Sequence, residues 1–96
     1  MITDLLDCGI NKNTIKHIKE NPSLEYTLSI NIKDVIDIIN YLKELNIKDI
    51  DNILLYNPDL FIETKKDIEE RFNKKDISNL VDLINNDYQN IDLLYE

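Results

Sequence analysis

Apolar residues recur at helical spacing along most of the chain. Between residues 31 and 45 they stand three or four positions apart, which places them on one face of an α-helix. The members of this stripe are Ile32, Val35, Ile36, Ile39, Leu42 and Leu45. Asn31 precedes the stripe as a predicted N-cap, and Asp34 lies near the positive end of the helix dipole. The pattern therefore predicts a helix of about four turns that begins after Asn31.

Shorter helices are predicted on both sides of this stripe. Each shows a polar residue that can cap a helix start, followed by apolar residues at helical spacing. These predicted segments cover residues 14–20, 50–56, 64–72 and 77–84, with single turns at 58–61 and 91–95. Leu5 and Leu6 open a further apolar stretch near the N-terminus. Gly9 suits the C-cap of that stretch, because glycine readily adopts the left-handed conformation.

One stretch alternates between apolar and polar residues instead. Its apolar members are Leu24, Tyr26, Leu28, Ile30 and Ile32. A period of two is typical of a half-buried β-strand. A lone strand would have no partner for its backbone groups. Over residues 24–32 the sequence therefore leaves two alternatives, an isolated strand or an extended linker.

A four-residue phrase occurs twice. Asn21-Pro22-Ser23-Leu24 returns as Asn57-Pro58-Asp59-Leu60, and 57 − 21 is 36 residues. Two turn signals, Gly9-Ile10 and Asn46-Ile47, precede the two copies at a spacing of 47 − 10, or 37 residues. A period in this range is typical of helical repeat arrays, which usually bind other molecules.

These two units resemble the repeats of the mitochondrial transcription termination factor (mTERF) family. That family's unit has a leucine-rich helix, a Gly-Ile turn, a short helix, an Asn-Pro-x-Leu break and a longer helix. The matching residues of the first unit are Leu5, Leu6, Gly9, Ile10, Ile15, Ile18, Asn21, Pro22 and Leu24. Those of the second are Leu42, Leu45, Ile47, Ile50, Ile53, Leu54, Pro58 and Leu60. The resemblance covers roughly residues 5–72.

The resemblance implies a curved array of helical units, and larger family members bind nucleic acid in a basic groove. We therefore expect an all-α fold, a short right-handed helical-repeat array in a single domain. Its units are predicted at about residues 5–41 and 42–75, with a degenerate C-terminal cap at 76–96. Asn46 stands where a second Gly is expected, and no Asn-Pro follows Phe72.

Composition supports a single helical domain. The chain has 96 residues, of which 43% are hydrophobic, with one Gly and two Pro. A single cysteine, Cys8, cannot form an internal disulfide and fits a reducing compartment. The N-terminus carries acid where a signal peptide needs base, and no segment approaches the ~20 apolar residues of a membrane span. We expect a cytoplasmic protein with no membrane segment.

The charge distribution bears on the partner. The net charge is −8. Residues 1–45 carry five Lys against seven acids, whereas residues 46–96 carry six Lys and Arg against twelve acids. The excess of acids in residues 46–96 repels the negative phosphates of nucleic acid. Affinity for nucleic acid comes largely from Lys and Arg contacts to phosphate. In residues 1–45, Lys12, Lys16 and Lys19 stand at helical spacing. They form either a contact surface for nucleic acid or an ordinary solvated helix face.

Candidate catalytic groups are isolated. His17 and Cys8 are each single, whereas a metal site needs three or four ligands and a thiol nucleophile needs a base. No phosphate-binding loop or nucleophile elbow occurs. The sequence therefore predicts a protein that is not an enzyme and needs no cofactor.

Tyrosine is favoured at protein interfaces, because it combines an apolar ring with a polar tip. Tyr41 and Tyr56 flank the second predicted turn and are the predicted exposed contact residues. We therefore expect a non-enzymatic helical domain that binds another protein. Nucleic-acid binding through the first half stays open, as does homodimerisation through open array ends. A third alternative is an inhibitor that mimics DNA through acids such as Asp67, Glu69, Glu70 and Asp82.

Overall fold

The computed structural model describes all 96 residues as helices joined by short turns. The six α-helices are α1 (Lys12–Lys19), α2 (Pro22–Ile30), α3 (Ile32–Glu44), α4 (Ile50–Tyr56), α5 (Lys65–Asn73) and α6 (Ile77–Asn86). Three 3₁₀ helices complete the chain, the N-terminal (Ile2–Cys8), the central (Pro58–Ile62) and the C-terminal (Tyr88–Tyr95). No strand is present, so the all-α prediction is confirmed. The elements form one globule, and their arrangement as a repeat array stays a prediction.

Helix α3 lies at the centre of the core. It contacts the N-terminal and central 3₁₀ helices, α2, α4 and α5. Its fully buried side chains are Val35, Ile38, Ile39 and Leu42. Ile32, Ile36 and Leu45, which were also predicted to face the core, are only partly buried. The predicted boundary between the two repeat units, at residues 41 and 42, lies within this helix, and the division into units stays a prediction.

The alternating stretch is helical, so both alternatives predicted for it are wrong. Pro22 occupies the first turn of α2, and the Asn21 side chain caps the helix by accepting from the Leu24 backbone N–H at 3.2 Å. A proline at the start of a helix and an Asn cap both favour this geometry. Of the alternating apolar residues within α2, only Leu28 is fully buried. The alternation of apolar and polar residues in this stretch therefore does not correspond to the buried face of a β-strand.

Two turns have the same hydrogen bonding. Gly9 and Asn46 both have left-handed backbones, with φ of 90° and 66°. The Gly9 N–H donates to the carbonyl three residues earlier at 3.0 Å, and the next N–H donates five residues back at 3.1 Å. Asn46 and Ile47 repeat this pattern at 2.9 and 3.1 Å. This is the C-terminal capping arrangement that favours Gly and tolerates Asn, so Asn46 fulfils the backbone role of a glycine.

Side chains from later segments complete both turns. The Asn11 backbone N–H donates to Asp51 Oδ1 at 2.9 Å, and Lys43 Nζ donates to the Cys8 carbonyl at 3.0 Å. At the second turn, the Lys48 N–H donates to Asn85 Oδ1, and the Asn85 amide donates to the carbonyl of residue 46, both at 2.9 Å. Each turn is thus tied to the segment that follows it in the chain.

Every helix of the molecule falls short of the length and apolarity that a membrane span requires.

Candidate functional site

Helix α2 presents two large apolar side chains to solvent. Tyr26 is 66% exposed and Ile30 is 63% exposed. They stand four residues apart, so they are neighbours on one side of the helix. Leu28, on the other side, is fully buried and anchors α2 to the core. We name the pair Tyr26 and Ile30 the α2 face; adjoining exposed apolar side chains of this size often mark a contact surface.

Helix α1 packs beside α2 and supplies positive charge. Lys12, Lys16 and Lys19 are all exposed, and α1 contains no acid. None of the three lysines forms an ion pair, so their charges face solvent. The structure therefore places the three predicted lysines on one helix, and their contact with nucleic acid stays a prediction.

A polar groove of about 610 Å³ lies where α1 and α4 begin. Lys12 and Lys48 line it together with Asp49 and Asp51. Two carboxylates beside two ammonium groups offset the positive potential that a phosphate backbone would need. This groove is therefore poorly suited to nucleic acid.

A second cavity of about 320 Å³ lies between the two left-handed turns and includes Cys8 in its lining. Burial raises the pKa of the Cys8 thiol, although the nearby Lys43 charge opposes that shift. A thiol held protonated is a weak nucleophile. His17 is exposed on α1, and no group of three or more His, Cys, Asp or Glu side chains lies close enough together to hold a metal ion.

The acidic surface is concentrated at the C-terminal end. Residues 76–96 contain five acids and no Lys or Arg, namely Asp76, Asp82, Asp87, Asp92 and Glu96. Asp76 and Asp87 cap helix starts through backbone N–H groups, and Asp92 accepts a hydrogen bond from the Tyr56 hydroxyl at 2.5 Å. Asp82 is exposed and has no hydrogen-bond or ion-pair partner. None of the five side chains forms an ion pair, although Lys75 Nζ donates to the Glu96 main-chain oxygen, so the net charge of this end is negative.

The three predicted acids of α5 lie in a mixed environment. Asp67 completes a capping box with Thr64, and Glu69 pairs with Lys65 at 3.7 Å. Residues 65–75 carry five basic side chains against three acids, since only Asp67, Glu69 and Glu70 are acidic. Basic side chains are therefore interspersed among these acids, and the DNA-mimic alternative stays a prediction.

The only arginine of the chain is held in a cluster. Arg71 donates to Glu63 Oε1 at 2.9 Å, and its guanidinium lies 4.4 Å from the centre of the Tyr95 ring. The Tyr95 hydroxyl donates to Glu63 Oε2 at 2.7 Å. Burial, and then the bond to Glu63, raise the pKa of Tyr95. The cluster joins the central 3₁₀ helix, α5 and the C-terminal 3₁₀ helix.

The two tyrosines predicted as contact residues differ in their exposure to solvent. Tyr41 is only 8% exposed, and its ring packs edge-on against Phe72 at 5.9 Å between centroids. The prediction that it is an exposed contact residue is wrong, because it falls on the α3 side that faces α5. Tyr56 is 41% exposed and packs against Tyr88 at 5.6 Å. Its contact with a partner stays a prediction.

The sequence reasoning missed the α2 face. The alternating pattern assigned Tyr26 and Ile30 to the same side as buried Leu28, because it assumed an extended backbone. The signal that could have found them is Pro22 at a helix start, followed by apolar residues four positions apart.

No family model matches the chain, and no curated protein or solved structure is significantly similar to it.

Proposed function

We propose that this chain is a non-enzymatic helical domain that binds another protein through the α2 face. The observation that carries the proposal is the exposure of Tyr26 and Ile30, 66% and 63%, on one side of a helix. Aromatic and apolar side chains at the centre of a patch supply most of the binding energy at protein interfaces. Lys12, Lys16 and Lys19 on the adjoining helix suit the polar rim of such an interface.

Net charge favours protein over nucleic acid as the partner. The chain carries −8 overall. The exposed lysines of α1 attract acidic groups at short range, which fits the acidic rim of a protein partner as well as it fits phosphate. The apolar centre formed by Tyr26 and Ile30 has no counterpart on a duplex backbone.

The proposal includes an mTERF-like repeat architecture with the right-handed sense that the resemblance implies. Its support is the pair of turns at Gly9 and Asn46, which share backbone conformation and hydrogen bonds at a spacing of 37 residues. Repeat arrays commonly present binding surfaces. A reducing, cytoplasmic setting is proposed on the single Cys8.

Site-specific crosslinking tests the partner class. A photoreactive phenylalanine analogue replaces Tyr26, and the matched control places it at Lys66, an exposed residue of α5. Irradiation in the source cell is expected to give a protease-sensitive adduct from position 26 and none from position 66. Adding Ile30→Ser should lower the adduct yield about tenfold, as for truncation of a central interface side chain. An adduct removed by nuclease, or none above the control, contradicts the proposal.

Nucleic-acid binding through α1 predicts a different result. Three phosphate contacts would give a slope of about −2.7 in log affinity against log salt on duplex DNA. Changing Lys12, Lys16 and Lys19 to Glu would then abolish binding. We expect no measurable binding by the unmodified chain at low salt, measured by fluorescence anisotropy with labelled duplex and single-stranded probes.

A further inference from the structure

We propose that the α2 face of one copy docks into the C-terminal end of a second copy, so that the chain associates head to tail. The inference rests on the proposed function, because it names the partner of the same face. The receiving site is a groove of about 180 Å³ between α6 and the C-terminal 3₁₀ helix.

The two surfaces lie on elements that other helices separate in the packing. Helix α4 contacts α1 on one side and the C-terminal 3₁₀ helix on the other. Helix α2 packs against α1, and α6 packs against the C-terminal 3₁₀ helix. One copy can therefore present the α2 face while its other end receives the next copy.

The groove has the shape and polarity to receive an apolar side chain. Leu80, Leu83 and Leu93 form its apolar part, with Leu83 38% exposed. Lys75, Asp76 and Glu96 lie at its edge, and Lys75 Nζ donates to the Glu96 main-chain oxygen, so two acidic side chains stand there against one cation. Tyr26 and Ile30 are 66% and 63% exposed on α2, so each offers an apolar group of the size that such a groove accepts.

Charge selects this pairing over the alternatives. Helix α1, beside the α2 face, has three lysines and no acid, whereas residues 76–96 have five acids and no Lys or Arg. Head-to-tail contact brings these opposite charges together. A two-fold contact between two α2 faces would instead bring lysines against lysines, which is unfavourable.

The area available predicts weak association. The two shorter dimensions of the molecule are 24 and 22 Å, so a contact across a face of that size buries at most about 500 Å² per partner. This is below the roughly 800 Å² per partner of stable complexes, and we expect dissociation constants of about 0.1–1 mM. A head-to-tail contact does not close on itself, so the oligomers should lengthen as concentration rises.

Sedimentation velocity of two variants, each altered at one end, tests the arrangement. Tyr26→Asp with Ile30→Asp removes the α2 face, and Leu83→Asp removes the groove. All three positions are exposed, so the fold should survive, as circular dichroism can verify. Asn73→Asp, at an exposed site on α5, is the matched charge control and should associate like the unmodified chain.

Each end variant should stay monomeric alone at about 1 mM chain. An equimolar mixture should form a dimer that grows no further, because one intact α2 face meets one intact groove. Raising NaCl from about 20 to 300 mM should weaken association of the unmodified chain about tenfold. Association by Leu83→Asp alone, or a mixture that stays monomeric, overturns the inference.

The crosslinking result separates this inference from the proposed function. A protein adduct from position 26 together with an unmodified chain that stays monomeric at about 1 mM overturns the self-association and supports the proposed function. An adduct of twice the chain mass, lost with Leu83→Asp, supports both. No adduct and no association overturn both.

Discussion

Gly9 and Asn46 are the residues with positive φ, at 90° and 66°. An L-side chain in this region costs roughly 1–2 kcal/mol, because its Cβ crowds the following carbonyl, although Asn tolerates it better than most residues. The sequence shows one glycine and one asparagine at these positions, but the backbone makes the two equivalent. Substitutions at the two positions can therefore be compared directly.

Gly9→Ala should lower the free energy of unfolding by about 1–2 kcal/mol. A Cβ at Gly9 would meet Lys43 Nζ at 3.6 Å, an ordinary contact, so the effect should come from the backbone conformation. Asn46→Gly should be close to neutral or stabilising, and Asn40→Ala, at an exposed site within α3, is the control. Urea unfolding measures all three. A Gly9→Ala chain as stable as the control would contradict the strain at this turn.

Burial of Tyr41 leads to a second prediction. Burial raises the pKa of its hydroxyl, which makes no hydrogen bond to the protein. Tyr41→Phe should therefore change the free energy of unfolding by less than about 0.5 kcal/mol. Phe72→Ala, at the fully buried ring against which Tyr41 packs, should cost about 3–5 kcal/mol by leaving a cavity. Thermal and urea unfolding test the pair, and a large loss in Tyr41→Phe would imply a polar role for its hydroxyl.

Tyr95 makes stability depend on alkaline pH. Its pKa is raised in the folded chain, while an unfolded tyrosine ionises near pH 10. The unfolded state therefore loses its proton first, and the free energy of unfolding should fall as pH rises above about 10. Tyr95→Phe should lose about 0.5–1.5 kcal/mol at pH 7 by losing the bond to Glu63.

Above about pH 10, the Tyr95→Phe chain should lose stability less steeply than the unmodified chain. Urea unfolding at pH 7, 10 and 11 measures the difference. Tyr26→Phe is the control, since the Tyr26 hydroxyl has no partner within the chain. Parallel pH profiles for the Tyr95→Phe and unmodified chains would contradict the assignment.

At the scale of the elements, the hydrogen bonds from α6 to the second turn can be tested by a single substitution. The Asn85 side chain makes two hydrogen bonds to residues 46 and 48. Asn85→Ala should lower the free energy of unfolding by about 1–2 kcal/mol, whereas Asn86→Ala, whose side chain makes no hydrogen bond, should change it little. Urea unfolding compares the two neighbours. Equal effects would mean that the lateral bonds contribute nothing net.

Helix positions were largely predictable, because caps and apolar spacing are local signals. The helix predicted at residues 64–72 is present as α5, and Thr64 and Asp67 form a capping box at its start, with bonds of 3.2 and 3.4 Å. Helix α1 begins at Lys12, two residues before the predicted start at residue 14, because its N-cap is Asn11. Helix α2 was missed, since its apolar residues face both core and solvent and so imitate a strand.

The candidate site was less predictable, because exposure depends on which helices pack together. The three lysines of α1 were placed correctly on one exposed helix. Tyr41 was predicted at the surface, yet α5 covers it through Phe72. The sequence pattern of one helix does not predict which other helix will cover it. Tyr41 and Phe72 lie in different helices, so their contact could not be predicted from local spacing.

At the scale of the whole molecule, the net charge is −8, and only four of the 19 acidic side chains lie in ion pairs. Self-repulsion of this kind destabilises a compact state, and salt screens it. The midpoint of thermal unfolding should therefore rise between about 10 and 300 mM NaCl. Asp82→Asn, which removes a charge without a partner, should raise the midpoint at low salt and reduce its salt dependence. A midpoint that falls with salt would show that attractive pairs dominate.

The turn-completing bonds also set an order of events on the ribosome. The Asn11 N–H finds its acceptor only at Asp51, 40 residues later, and the Lys48 N–H waits for Asn85, 37 residues later. At about 5–20 residues per second, each delay is roughly 2–8 s of synthesis. We therefore expect the N-terminal half to emerge with its turn unfinished, and the nascent chain to gain stability as each new segment closes the turn before it.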